Sequence, residues 1–203
     1  MSGSLREAAK RCARGLAVVA VSPALLSYAI RRRVMGRNRA LEGSSQALSL
    51  VPGLPGQYLR RAFLGCVVDY CAPTAVIGFG ALFSQAGCHI GENVYIGPRC
   101  HLGLVHLERD VLLAAGVHVP SGAHTHGTDP SSPIRDQEGA PRLVRIGAGA
   151  WIGSNAVVLA DVGRETIVGA GAVVTRPLPD RVVAAGVPAR VVRGRDEAGA
   201  VSV

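Results

Sequence analysis

The sequence predicts an all-β solenoid with a helical segment ahead of it and one inserted loop. Three observations predict this. An aliphatic-glycine pair returns at six-residue intervals: Ile90-Gly91, Ile96-Gly97, Leu102-Gly103, then Ile146-Gly147, Ile152-Gly153, and later Val168-Gly169. Small or aliphatic residues follow four places after such anchors, at Val94, Cys100, Val111, Val117, Ala150, Ala156 and Ala172. Aromatic residues are only 4% of the 203-residue chain while Gly numbers 26, a composition suited to a narrow core of Ile, Val, Leu, Ala and Cys. A period of six matches neither the 3.6 of an α-helix nor the alternation of a half-buried strand. It matches stacked coils of short parallel strands, each hexad forming one side of a triangle. The large aliphatic points inward, the small residue packs beside it, and Gly supports the tight corner. One coil cannot bury its own face, so the stack is the core. Further anchors fall at Ile77, Phe83, Leu107, Leu113, Val119, Val158 and Val174. The spacing slips to seven between Phe83 and Ile90 and to five between Leu102 and Leu107, as expected at corners.

Residues 1–73 lack the period and form an N-terminal basic and apolar segment. Gly15 to Ile30 is uncharged and mostly apolar, flanked by Arg14 and by Arg31, Arg32 and Arg33. It is shorter than the ~20 residues a spanning helix needs, and Pro23 lies in its middle. An arginine cluster, not a small-residue cleavage site, follows it, which argues against a cleaved signal peptide. The expectation is a helix or helical hairpin in the inner leaflet, with residues 10–40 meeting the membrane surface and arginines at the headgroups. The competing expectation is a helix packed on the solenoid end or on a partner subunit. Two Pro-Gly steps, at Pro52-Gly53 and Pro55-Gly56, read as turns. Gln57 to Tyr70 reads as a helix, apolar at Leu59, Phe63, Val67 and Tyr70, that caps the first coil.

Residues 74–178 are the solenoid, interrupted once by a loop over 120–143. A loop this long inside a compact repeat is usually functional. Residues 179–203 close the domain: Val182 to Val192 turns and leaves the prism, and Asp196 to Val203 is a loose tail.

The net charge of +8 arises from 22 Lys and Arg against 14 Asp and Glu. Much of the positive charge precedes residue 62, which suits an anionic membrane surface. No aromatic residues interleave the basic ones and no finger, helix-turn-helix or RNP pattern occurs, so nucleic acid is not the expected partner. Five cysteines without a CxxC pair read as reduced thiols of a cytosolic protein, with Cys100 inside a coil.

Hexads, a His-x-His loop at His124 and His126, and the strings GAGAVVTR and AAGVPARVVR occur together here. In that combination the chain resembles the hexapeptide-repeat acyltransferases, and within them the maltose and galactoside O-acetyltransferase type. The resemblance covers about residues 75 to 193. It implies a left-handed parallel β-helix, a homotrimer with active sites between neighbouring prisms, and acetyl-coenzyme A as acyl donor, with no metal. The acceptor it implies is a sugar or polysaccharide hydroxyl.

Acetyl transfer to an alcohol needs a base, donors for the tetrahedral oxyanion, and a slot for a long coenzyme. No GxSxG elbow occurs and no Cys lies in the loop, so direct attack by the acceptor is more economical than an acyl-enzyme. His124 occupies the position of the family's catalytic His, and an imidazole takes and returns a proton near neutral pH. His126 is placed beside the acceptor, with Trp151, the one Trp, walling the cleft or packing at the trimer interface. The two histidines lie closer together than in the familiar sugar-acetylating members, so the acceptor's identity does not carry over. Asp129 and Glu138 are both available to orient an imidazole. For the coenzyme, the resemblance implies Ser154 near the thioester, Ala170 along the pantetheine arm, Thr175 and Arg176 near the adenosine, and Arg193, with Arg190 as second candidate, at the 3′-phosphate.

Two other classes use the same prism. A γ-type carbonic anhydrase would take zinc from three histidines, and His101 and His106 are five apart; that family's Arg and Gln pattern is missing. A non-catalytic scaffold would need no loop histidines. An amine acceptor, giving an N-acetyltransferase, is the nearer alternative. The expected setting is the cytoplasm, peripheral on the inner face of the cell membrane.

Overall fold

In the computed structural model, which describes residues 3–196, with side chains from residue 7, the hexads form six stacked coils. The first holds β1 (Tyr70–Cys71), β2 (Val76–Ile77) and β3 (Leu82–Phe83). The second holds β4 (His89–Ile90), β5 (Tyr95–Ile96) and β6 (His101–Leu102), and the third β7 (Val105–Leu107), β8 (Leu112–Leu113) and β9 (His118–Val119). After the loop come β10 (Val144–Ile146), β11 (Trp151–Ile152) and β12 (Val157–Val158). The fifth coil has β13 (Ile167–Val168) and β14 (Val173–Val174), and the sixth β15 (Val182–Ala185), followed by β16 (Arg190–Gly194). Three sheets make the three faces. Face one is β1-β4-β7-β10, continued by parallel bridges from Ile146 to Val162 to Leu178. Face two is β2-β5-β8-β11-β13-β15-β16 and face three is β3-β6-β9-β12-β14.

In each two-residue strand the second residue points inward. All the anchors anticipated above, from Ile77 to Val174, are at most 1% exposed, and each buried aliphatic contributes about 1.5–3 kcal/mol of transfer free energy. The small residues four places on are equally buried, Cys100 among them. The irregular spacing has one location. Steps from face one to face two (Ile90 to Ile96, Leu107 to Leu113) and from face two to face three (Ile96 to Leu102, Leu113 to Val119) keep six residues. Both slips, and the loop itself, fall on the edge where face three returns to face one.

The glycines of the repeating pair act differently from expectation. Left-handed backbone falls two residues later, at Asn93, Arg99, Asn155 and Glu165 as well as at Gly149 and Gly171, and at Asp110, where Glu108 takes the glycine's place. The paired glycines instead sit where the next coil touches them: a Cβ on Gly153 would lie 2.5 Å from the Ala170 backbone N, and one on Gly147 2.6 Å from the Arg164 N. Close stacking of coils, not turn conformation, is what Gly supplies there.

Four helices precede the coils: α1 (Gly3–Ala20), α2 (Ser22–Met35), α3 (Arg37–Ser49) and α4 (Gly53–Val67). The helix expected at Gln57–Tyr70 starts earlier and ends earlier. Pro55 lies in its first turn, where a missing N–H costs nothing, and Tyr70 already belongs to β1. Of the two Pro-Gly steps, only Pro52-Gly53 breaks the chain. The open end of the first coil is covered by α3 as well as by α4, the helix expected to cap it. Ser45 Oγ accepts from Phe83 N at 2.9 Å, the Ser49 carbonyl from Gly80 N at 3.1 Å, and Asn38 Oδ1 from Ala86 N at 3.0 Å. Arg60, 3% exposed, gives Nε to the Ile77 carbonyl and Nη1 to the Leu48 and Val51 carbonyls, joining α4 to the coil.

No single helix is long and apolar enough to cross a membrane, but α1 from Glu7 and α2, bent by 47°, meet the length and composition together. At the other end, Val182–Val192 does not leave the prism: β15 pairs parallel with β13, and β16 folds back antiparallel onto β15. The tail beyond residue 196 lies outside the described residues.

Candidate active site

Face three and its two bounding edges carry most of the candidate residues. On the edge between faces two and three, the corner residues of successive coils stack through backbone hydrogen bonds. Gly116 N donates to the Pro98 carbonyl, Asn155 N to that of Ala115, and Gly171 N to that of Ser154 at 2.8 Å. Ser154 and Ala170 are thus equivalent corners one coil apart. Thr175 and Arg176 are exposed on the opposite edge, just after β14.

His124 belongs to that same opposite edge, two coils earlier, where the loop leaves β9. The loop's base is fixed. Ser121, 4% exposed with φ +70°, accepts from Leu104 N through its Oγ at 2.7 Å. Its carbonyl takes Arg142 N at 2.7 Å, and Arg142 pairs with Asp161 at 2.7 Å. The His124 carbonyl accepts Ala140 N at 2.7 Å, tying the outgoing strand of the loop to the returning one. The His124 and His126 side chains are exposed, and neither has a hydrogen-bond partner among the described residues.

Gln137 organises the loop's tip, a role composition alone did not reveal. Its Nε2 donates to the carbonyls of Asp129 at 2.7 Å and Ser132 at 2.8 Å, and its Oε1 accepts from Asp129 N at 2.8 Å. Asp129 does not orient an imidazole. Its carboxylate accepts Ser131 N at 2.8 Å, and that bond holds its pKa below the ordinary value.

Trp151 projects outward from face two, 48% exposed. Leu112, Ile167 and Val183 stand in register with it, and Arg193 of β16 pairs with Val183. Arg190 is exposed on β16, and its Nη1 folds back to the Ala189 carbonyl at 3.1 Å.

The other histidines sort onto two faces. His101 and His118 stack on face three, ring centroids 4.9 Å apart. His89 and His106 meet on face one with tilted rings 4.2 Å apart, continued by Tyr70, which stacks on His89, on one side and by Arg145, whose Nη1 lies 3.2 Å from His106 Nδ1, on the other. His101 and His106 therefore point away from each other. No group of three His, Cys, Asp or Glu among the described residues could hold a metal. The face-one ladder lines a shallow basin of about 700 Å³ with Glu108, Arg109 and Arg164; sequence reasoning missed it, because these residues meet only when coils stack.

The family model described as the hexapeptide repeat of succinyl-transferase matches residues 88–120 and 143–176, the coils on either side of the loop. The chain is 28% identical over 163 residues to galactoside O-acetyltransferase of Escherichia coli K12, covering 70% of this chain and 80% of that protein. It is 33% identical over 128 residues to the putative lipopolysaccharide biosynthesis O-acetyl transferase WbbJ of the same organism, covering 57% of this chain and 62% of that one. A galactoside acetyltransferase solved in complex with coenzyme A shares the fold, with a TM-score of 0.61 at 23% identity, over 80% of this chain and 84% of that chain. The chain thus carries the hexapeptide repeat on both sides of its loop, and it is similar to the galactoside O-acetyltransferases.

Proposed function

We propose that this chain transfers an acetyl group from acetyl-coenzyme A to a hydroxyl of a sugar or of an envelope polysaccharide precursor, with His124 as general base. One observation carries the reading. The only long break in the hexads raises an exposed imidazole from a base fixed by Ser121 and Arg142, between the two blocks of repeats that the family model matches. The acceptor hydroxyl attacks the thioester carbonyl carbon while the His124 imidazole takes its proton. The tetrahedral oxyanion then collapses, the C–S bond breaks, and the proton passes to the departing thiolate. Ser154 stands as the oxyanion donor, Ala170 along the pantetheine arm, Thr175 and Arg176 near the adenosine, and Arg193, with Arg190, at the 3′-phosphate. A relative named as a putative lipopolysaccharide biosynthesis O-acetyl transferase and a structural neighbour solved with coenzyme A support the acceptor and donor classes.

The reading includes a homotrimer. Within one chain, His124 and the Ser154–Ala170 column occupy opposite edges of face three, so a complete site calls for the loop edge of one copy beside the corner column of the next. His126 and Trp151 would then flank the acceptor. It also includes peripheral attachment to the inner face of the cell membrane through residues 10–40. Leu16, Val19, Leu26, Ile30 and Val34 are exposed there, and Arg31, Arg32 and Arg33 lie among them.

The test is thiol release from acetyl-coenzyme A with sugars, lipid-linked glycans and amino sugars as acceptors. Turnover with a hydroxyl acceptor that disappears in His124→Ala, with coenzyme binding and trimer intact, is the expected result. Turnover only with amino sugars would transfer the reading to N-acetylation, and turnover unchanged by His124→Ala would remove His124 as base.

A further inference from the structure

A basic pocket and an apolar groove share one wall between α1 and α4. The groove, about 380 Å³, is lined by Leu16, Ala17, Ala20 and Leu59. The pocket, about 400 Å³, presents Lys10, Arg14, Gln57 and Arg61. Leu54 and Tyr58 line both. Along α1 the lining residues run from charged to apolar. A rise of 1.5 Å per residue puts about 9 Å between Arg14 and Ala20.

Arg61 distinguishes this place from ordinary basic surface. Its Nε and Nη2 are buried without a hydrogen-bond partner. Its sequence neighbour Arg60 gives Nε and Nη1 to three backbone carbonyls. Burial lowers the Arg61 pKa from the ordinary arginine value, and nearby Arg14 adds to the effect. Placing part of a guanidinium out of water without acceptors is costly, and an anion in the pocket offsets it by neutralising the charge that the buried nitrogens share with Nη1. Glu7, which also lines the pocket, pairs with Lys10 at 2.8 Å on the exposed side.

We propose that the pocket and groove together hold one anionic phospholipid of the bilayer, its phosphate against Arg61 and Arg14 and the first part of one acyl chain between Leu16 and Leu54. This rests on the membrane attachment proposed above and assigns it a specific lipid site. Three features favour a lipid still in its membrane. The groove shelters only about 9 Å of chain, so the remainder needs apolar surroundings. The groove is open, with Leu16 71% and Leu54 67% exposed. The exposed Leu26, Ile30 and Val34 of α2, next to Arg31, Arg32 and Arg33, suit a helix lying in the headgroup region. A free phosphate would have no use for the groove.

The experiment pairs vesicle sedimentation with calorimetry on the full chain. Vesicles are phosphatidylcholine alone, or phosphatidylcholine with phosphatidylglycerol in equal parts. The soluble probes are dihexanoyl phosphatidic acid below its micelle concentration, dihexanoyl phosphatidylcholine and inorganic phosphate. Expected are sedimentation with the anionic vesicles and saturable binding of the phosphatidic acid, tighter than of either other probe. Arg61→Gln weakens both by about tenfold, the loss of a hydrogen-bonded charge pair. Arg14→Gln, on the surface of α1, acts in the same direction and guards against an Arg61 variant that fails to fold, which circular dichroism detects. Replacing Arg32 and Arg33 by Gln weakens sedimentation and leaves binding of the soluble lipid unchanged. If the wild type sediments with anionic vesicles but Arg61→Gln and Arg14→Gln bind both lipid forms as tightly, attachment stands and the site is overturned. Inorganic phosphate binding as tightly as the lipid would also overturn it, leaving an anion pocket. Sedimentation with neither vesicle would overturn the attachment itself, and the site with it.

Discussion

Trp151 and Arg193 stand in one outward column of face two, joined through Ile167 and Val183. Three strand steps separate them, about 14 Å at the usual spacing of neighbouring strands. Arg193 reaches that column only because β16 folds back antiparallel onto β15. In the reading proposed above, the charged group at the end of this aromatic and aliphatic column takes the phosphate end of the coenzyme.

From this comes the first prediction. Arg193→Ala raises the KM for acetyl-coenzyme A about tenfold, the scale of a charge-assisted hydrogen bond, and leaves kcat unchanged. With a donor lacking the 3′-phosphate, wild type and variant have equal KM. A drop in kcat with either donor would place Arg193 elsewhere in the reaction.

Gly153 and Gly171 lie close along the same edge and make opposite demands. A Cβ on Gly153 would meet the Ala170 N at 2.5 Å and the Gly169 carbonyl carbon at 2.8 Å, both backbone atoms of the next coil. Gly171 has φ +66° and open space around it. Gly171→Ala therefore costs about 1 kcal/mol of left-handed strain, whereas Gly153→Ala costs about 3 kcal/mol because whole coils must separate. Thermal denaturation of the two variants measures the difference, and equal melting temperatures would refute the stacking role of Gly153.

How far the sequence led follows from the three edges. Two edges keep six residues per step, and most anchors on them were visible as a repeat. Cys71, Val162, Leu178 and Ala184 are also inward-facing positions, but they did not stand out, since steps across the third edge vary and a Cys or Ala is a weak anchor signal. His124, Ser154 and Ala170 entered the proposed site through motif strings. Ser121 and Gln137 were not: their roles are hydrogen bonds to particular backbone atoms, and composition is silent about those. The basin formed by Tyr70, His89 and His106 was illegible for another reason. Residues 17 or 19 apart become neighbours only once the coil length is known.

The stacked pair His101–His118 predicts an acid-sensitive fold. Burial lowers the His118 pKa, and neighbouring His101 adds to the shift. The folded pKa thus lies below the unfolded one. As pH falls through the unfolded value, the unfolded chain takes up the proton first, so stability present above that pH is lost on acidification until the folded value is passed. His106 is shifted the same way, by burial and by His89 and Arg145. The melting temperature is expected to fall between pH 7.5 and 5, conditions chosen to span roughly the ordinary histidine range, and His118→Gln is expected to flatten that fall. A profile identical in wild type and variant would show that the stacked pair carries no linkage.

Gln137 offers a separation of loop order from fold stability. Its amide makes three hydrogen bonds within the loop and none to the coils, while the loop base is held independently by Ser121 and Arg142. Gln137→Ala frees the tip on which His126 and the returning strand depend. Each neutral bond contributes about 1 kcal/mol to the ordered loop, so the expected result is a rise in acceptor KM of about tenfold or more, with the coenzyme KM and the melting temperature unchanged. Coils that melt earlier in this variant would mean the loop helps hold the prism together. An unchanged acceptor KM would mean the acceptor is bound without the loop's tip, by face three and the corner column alone.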